Sequence, residues 1–100
     1  MQRRSSKPLS TLQAAREVSL GALSYLAGDP ERIGPFLAES GLSPADLRGV
    51  AASPAFHVAL LDFLIAHQDL LLDYAQTAEI DPGHVVAARE ILFHADIGED

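Results

Sequence analysis

The chain has 100 residues, a length typical of one domain, and 48% of them are hydrophobic, which excludes general disorder. Cysteine is absent, so disulfides, thiol nucleophiles and Cys-ligated metals are excluded. Residues 1–16 carry four basic residues and no acid, whereas residues 17–100 carry three basic and 14 acidic ones. Because an acidic body repels phosphates, the composition does not favour a nucleic-acid partner.

Helix starts are marked by a repeated dipeptide in which Asp or Ser precedes proline. The side chain of Asp or Ser can cap a helix, and proline suits the first helical position because its missing N–H would have no partner there. The four dipeptides are Asp29-Pro30, Ser43-Pro44, Ser53-Pro54 and Asp81-Pro82. They predict helices over residues 30–40, 44–51, 54–66 and 82–94.

Two further helices lack this proline signal. The first is predicted over about 10–27, where the hydroxyl of Ser10 or Thr11 can cap the first turn. The other is predicted over 69–79, with Asp69 as its cap after a break in the apolar pattern. Six short helices with tight turns must cross at large angles, so we expect a compact all-α bundle of five to six helices.

Glycine and the one misplaced proline define the expected helix ends. Gly28 and Gly41 follow predicted helices, where a left-handed residue often closes the last turn. Pro35 lies inside the 30–40 segment and removes one backbone hydrogen bond. We expect it to kink that helix or to delay its start to about residue 34.

The 54–66 segment is apolar on almost every side, which is typical of a helix buried between neighbours. We therefore place it at the centre of a single helical domain spanning 9–95. Residues 1–8 are predicted to be a flexible basic terminus and residues 96–100 an acidic tail. Leu12 and Ala78 are expected to face inward with the stripes of their helices.

Chemistry-bearing residues do not form a recognisable constellation. Asp62 is the one acid inside the apolar 54–66 helix, and we interpret it as a surface residue or one bonded to a neighbouring helix. The four histidines have no metal-ligand spacing and are interpreted as isolated surface or helix-end residues. They are His57, His67, His84 and His94. No catalytic, cofactor-binding or metal-ligating residues are predicted, and we expect the protein not to be an enzyme.

A helix-turn-helix DNA-binding motif is the alternative that the pattern of residues 36–50 leaves open. Gly41 lies where the turn is needed and Leu47 is placed to pack back on the first helix. Arg48 is the only base-reading candidate, and Asp46 beside it would repel phosphates. A degenerate regulator of this type is therefore the second hypothesis for function.

Excess apolar surface supports the first hypothesis, a non-enzymatic protein-interaction module. Leu72 is predicted on the polar face of its helix, and contiguous exposed apolar surface usually marks a protein contact. We expect the last three helices to meet a partner protein or a second copy in a homodimer. No apolar run approaches a membrane span, and no targeting segment is evident, so a cytoplasmic location without membrane contact is expected.

Three passages resemble a bacterial family of small helical proteins known only as a domain of unknown function. They are residues 26–32, residues 41–48 and the stretch that runs from Pro54-Ala55-Phe56 to Leu61-Asp62-Phe63-Leu64. The resemblance extends over 22–75 and more loosely to the last helix. It implies a helical cytoplasmic fold and no known activity.

Overall fold

The computed structural model describes residues 11–98, which form helices joined by short turns and contain no strand. The helices are α1 (Leu12–Ala27), α2 (Pro30–Ser40), α3 (Leu47–Val50), α4 (Pro54–Ala66), α5 (Gln68–Ala78) and α6 (Pro82–Asp96), with a 3-10 turn at Pro44–Asp46 before α3. The predicted all-α bundle is confirmed. The terminus predicted at 1–8 lies outside the described residues.

Local capping produces most of these starts, as predicted. The Thr11 hydroxyl accepts a hydrogen bond from the backbone N–H of Ala14 at 3.0 Å. The side chains of Asp29, Ser53 and Asp81 each accept a backbone N–H from the first turn of α2, α4 and α6. Each bond satisfies an N–H that the helix itself leaves without a partner.

Helix α1 ends at Ala27, as predicted, but the conformation expected of Gly28 is not observed. Gly28 closes α1 in a right-handed conformation with φ −72°. The chain turns instead at Asp29, which is extended and begins α2 at once. Gly41 is left-handed as expected, with φ 75°. Glu79 is also left-handed, with φ 59°, so α5 ends at Ala78.

Pro35 does not delay the start of α2. The helix begins at Pro30 and continues through Pro35, which is exposed on its outer side. Proline lacks an N–H to donate to the carbonyl of Glu31, and an exposed position lets water bond that carbonyl instead. The start of α2 is therefore determined by Asp29, whose side chain caps the first turn.

Helix α5 begins at Gln68, one residue before the predicted start, and its N-cap is His67 and not Asp69. His67 is the residue between α4 and α5, its side chain makes no capping bond to α5, and Asp69 lies in the first turn. Asp69 still interacts favourably there with the positive end of the helix dipole. At the other end, α6 continues to Asp96, two residues beyond the predicted end.

Helix α4 lies at the centre of the bundle, as predicted, and packs most extensively on α6. Helix α6 also packs on α1, and α5 leaves α4 at an angle of 107°. The largest wholly buried apolar side chains come from α1, α4 and α6: Leu26, Leu60, Leu61, Leu64, Val85 and Leu92. Leu12 and Ala78 are exposed, against the prediction, because each lies at the end of its helix beyond the core.

A buried tyrosine of α5, Tyr74, bonds to α1 and lies against Gly21 of that helix. The Tyr74 hydroxyl donates a hydrogen bond to the carbonyl oxygen of Val18 at 2.7 Å. A Cβ atom placed on Gly21 would lie 2.5 Å from that hydroxyl oxygen. Tyr74 is 4% exposed, so its ring has little room to move away.

The substitution Gly21→Ala is therefore expected to destabilise the protein, although alanine is normally favoured over glycine inside a helix by about 1 kcal/mol. The added methyl group overpacks a filled site, at a cost of about 1–3 kcal/mol. Urea unfolding followed by circular dichroism measures the change. In the Tyr74→Phe background the same substitution should be neutral or stabilising, and destabilisation of equal size there would contradict the explanation.

Candidate functional site

The outer face of α6 carries an apolar stripe, which we define as Val86, Phe93 and Ile97, the last being the residue directly after the helix. Val86 is 44% and Ile97 50% exposed, and Phe93 is partly buried. At about 100° per residue the three positions fall on one side of the helix axis. The exposed Glu90 lies between them on the same side. This α6 stripe has the spacing of a helix–helix contact, and two of its three side chains are about half exposed.

Helix α5 adds one exposed leucine, in the position that the sequence predicts. Leu72 is 49% exposed, beside the exposed Gln76 and Glu79. Single exposed leucines are common on protein surfaces. The α6 stripe is therefore the stronger indication of a contact.

A groove of about 320 Å³ lies between α2 and α4. The residues that line it are Phe36, Glu39, Ser40, Ala59, Asp62, Phe63 and Ala66. The rings of Phe36 and Phe63 meet edge to face at 5.4 Å and are almost wholly buried. We call this concavity the α2–α4 groove; it combines an aromatic base with carboxylates at its edge.

Asp62 lies at the edge of this groove and bonds a neighbouring helix. Its carboxylate accepts hydrogen bonds from Nε of Arg89 at 2.8 Å and from a terminal guanidinium nitrogen at 3.4 Å. These bonds raise the pKa of Arg89 above its ordinary value. The guanidinium of Arg89 also lies 4.9 Å from the centre of the Phe93 ring, within cation–π range. The groove and the α6 stripe are thus adjacent, joined by this ion pair.

A buried polar pair lies on the other side of the bundle, and sequence reasoning missed it. His57 is 4% exposed and Ser19 is completely buried, so His57 is not the surface or helix-end residue that was predicted. The ring of His57 hydrogen-bonds to Ser19 Oγ at 2.5 Å through Nδ1, and to the carbonyl of Ala51 through Nε2. Since a carbonyl only accepts, Nε2 carries a proton, and in the neutral ring Nδ1 then accepts from the Ser19 hydroxyl.

One sequence signal could have indicated that His57 is buried. It precedes Leu60, Leu61 and Leu64 at spacings of three, four and seven residues, which places it on their face of the helix. The prediction relied on the fact that histidine is seldom completely buried, and gave less weight to this spacing.

The Ser19–His57 pair lies beside a cleft of about 330 Å³, but Ser19 is not among the residues that line this cleft. The cleft is lined by Arg16, Leu20, Ala51, Ala52 and His57. Ser19 Oγ lies in the middle of α1, fully buried, where a substrate cannot reach it. A nucleophile also needs donors for the developing oxyanion, and the backbone N–H groups around Ser19 are engaged in the helix. This arrangement makes the pair a structural hydrogen bond.

His67 is a helix-end histidine, as predicted. Its Nδ1 hydrogen-bonds to the carbonyl of Phe63 at 2.7 Å and its ring packs on the Phe63 ring at 4.1 Å. Its Nε2 lies 3.6 Å from a carboxylate oxygen of Glu39, at the edge of the α2–α4 groove. Across residues 11–98 no three His, Asp or Glu side chains lie together in a way that could hold a metal ion.

Tyr25 on α1 forms a second polar link to α5. Its hydroxyl donates to the carboxylate of Asp73 at 2.5 Å, and the guanidinium of Arg32 lies over its ring at 4.2 Å. Burial, followed by the hydrogen bond to Asp73 and its negative charge, raises the pKa of Tyr25 to about 12. The pKa of Tyr74 is also raised, by burial.

We expect Asp73→Asn to lower the pKa of Tyr25, leaving it above the ordinary value because burial remains. Phenolate absorbance measured against pH reports it, and a Tyr74→Phe background leaves Tyr25 as the only tyrosine. Because the folded state raises this pKa, its contribution to stability is complete below about pH 10 and is lost as the pH rises through about 12. An unchanged pKa in Asp73→Asn would show that Asp73 has no part in the shift.

The segment proposed for DNA reading is short. The predicted 44–51 helix is divided into the 3-10 turn and the four-residue α3. Asp46 accepts hydrogen bonds from the backbone N–H and the hydroxyl of Ser43, each at 2.9 Å, and these lower the pKa of Asp46. Arg48 is exposed on α3, two residues after Asp46.

These features define a small helical bundle with an exposed apolar stripe and an adjoining groove. The chain belongs to the family DUF3572, described as a protein of unknown function, whose model matches residues 12–95. The match thus covers nearly the whole of the described bundle and confirms the expected family of unknown function. Neither a curated protein nor a solved structure matched the chain.

Among residues 11–98 no single helix is long and apolar enough to cross a membrane. Helices α4 and α5 reach that length and composition only when taken together, and they are bent by 107° at the break between them.

Proposed function

We propose that the protein is a non-enzymatic protein-interaction module that binds a partner protein through the outer face of α6. The observation that carries this proposal is the α6 stripe, in which Val86 and Ile97 are about half exposed on the same side as Phe93. Exposed aliphatic side chains at helical spacing gain free energy when a partner removes them from water.

The ion pair beside the stripe also supports a contact at this face. Arg89 bonds Asp62 and Glu90 and lies over the ring of Phe93. These bonds hold the guanidinium in place, which reduces the side-chain entropy lost on binding. Interfaces commonly combine such a preorganised arginine with an aromatic side chain.

DNA binding through residues 36–50 has less support. Recognition helices place several side chains in the major groove, whereas α3 has four residues and one cation, Arg48. The acidic excess over residues 17–100 would also oppose association with phosphates. Salt-dependent DNA binding that is lost in Arg48→Ala would favour this second function over the first.

Site-specific photocrosslinking in the producing cells tests the proposed contact. A photoreactive phenylalanine analogue is placed at Val86, and in a second variant at Ile97. We expect each variant to give a discrete crosslinked product with another protein. The absence of cysteine favours a cytoplasmic location, so the partner is expected in the cytoplasm. The analogue at Gln13, exposed near the start of α1, is the matched control and should give none.

The same experiment identifies the partner as another protein or a second copy by the mass of the product. A product at Gln13 equal to that at Val86 would indicate collisional labelling. Absence of a product at both stripe positions, with the variants folded by circular dichroism, would refute the proposal.

A further inference from the structure

We propose that the α2–α4 groove binds a basic amphipathic segment of a partner protein, with a Lys or Arg side chain at the carboxylates of its edge and an apolar neighbour in the groove. This inference rests on the proposal that the protein is an interaction module, but it concerns a different surface and assigns the chemistry of the partner.

The shape of the groove fits one large side chain and its neighbours. Its volume of about 320 Å³ is at the lower end of the range for ligand pockets. Ala59 and Ala66 are exposed on α4, so no long side chain of that helix fills the space above Phe36 and Phe63. A partner helix could approach α4 closely along these small residues.

The charges at its edge select a cation. Glu39 is 60% and Asp62 50% exposed, so both carboxylates are accessible to a partner. Arg89 is already shared between Asp62 and Glu90 and balances only one of them. The edge therefore keeps an excess of negative charge beside an apolar groove, which suits the charged head and apolar stem of Lys or Arg.

The same charges disfavour a second copy in the groove. A twofold dimer formed by this surface would bring Glu39 and Asp62 of each copy towards the same groove on the other. The acidic excess over residues 17–100 adds to the repulsion between copies. A basic segment of another protein would avoid both the repulsion between the groove carboxylates and the repulsion between two acidic copies.

Peptide selection on the full-length protein tests this inference. A phage library of random linear peptides is selected on the folded chain, and the selected peptides are synthesised and titrated by fluorescence anisotropy. We expect Lys or Arg next to an aromatic or aliphatic residue to be enriched. Affinity should also fall as salt is added, because exposed charges are screened.

Variants of the groove give the size of the effect. Ala59→Leu fills the groove and should weaken binding by at least about tenfold, the cost of losing a central anchor. Glu39→Gln should weaken it by about two- to fivefold, as expected for an exposed charge pair. Ala45→Leu and Glu17→Gln, at exposed positions outside the groove, are the matched controls and should bind as wild type. Circular dichroism verifies that each variant is folded.

The outcomes that would overturn the inference are distinct. They are selection of no peptide, selection of peptides without basic residues, or equal binding by Ala59→Leu. A dimer in sedimentation that Ala59→Leu abolishes would assign the groove to a second copy. If replacing Arg3, Arg4 and Lys7 by Gln raises peptide affinity about tenfold, the groove binds the chain's own first residues. None of these results alters the crosslinking at Val86, so the two proposals can fail separately.

Discussion

Replacing Phe63 by alanine is expected to lower the free energy of unfolding by about 3–5 kcal/mol, the cost of deleting a large buried aromatic side chain. Phe63 is 5% exposed on the central helix. Its ring meets the Phe36 ring edge to face at 5.4 Å and packs on the ring of His67 at 4.1 Å. Alanine removes both contacts and leaves a cavity between α2 and α4 that the helices can close only in part.

This loss is large because a domain of this size has a total stability of about 5–15 kcal/mol. Urea unfolding followed by circular dichroism measures it, with Leu72→Ala as the control. Leu72 is 49% exposed, and its truncation should cost less than about 1 kcal/mol. A loss below about 1 kcal/mol in Phe63→Ala would contradict the central position of α4.

The second large effect is expected for His57→Leu, at about 2 kcal/mol. Leucine fills most of the volume of the imidazole ring, so the main loss is in hydrogen bonding and not in packing. The substitution leaves Ser19 Oγ without its partner in a completely buried position, and it removes the donor to the Ala51 carbonyl. A buried polar atom that loses its partner incurs the full cost of its desolvation.

A double-mutant cycle with Ser19→Ala separates the hydrogen bond from packing. Ser19→Ala alone should cost about 1–2 kcal/mol, because Nδ1 of His57 then lacks its donor. Replacing both partners by apolar residues leaves neither side of that bond unsatisfied. The double variant should therefore lose less stability than the sum of the single variants, by about 1 kcal/mol. Additive losses would show that the two residues do not act as a pair.

The sequence determined where helices begin, because capping acts within one turn. Asp29, Ser53 and Asp81 each bond an N–H two or three residues away and are followed by a proline, so their effect needs no tertiary contact. The burial of most large side chains of α4 was also predictable, since residues 54–66 carry apolar side chains on almost every side. The exposure of Leu72 could be predicted as well, because helical spacing places it on the same face as the polar Gln76 and Glu79.

Only the tertiary structure determined which polar groups meet. Ser19 and His57 are 38 residues apart, and Asp62 and Arg89 are 27 apart, so the packing of α1 and α6 against α4 brings them together. The left-handed conformation predicted for Gly28 is wrong because the chain turns one residue later, at the extended Asp29 that caps α2. The α2–α4 groove likewise is lined by residues of two helices that only the packing of the bundle brings together. Short-range capping and burial are encoded residue by residue, whereas pairings and grooves depend on the relative positions of whole helices, which sequence spacing does not specify.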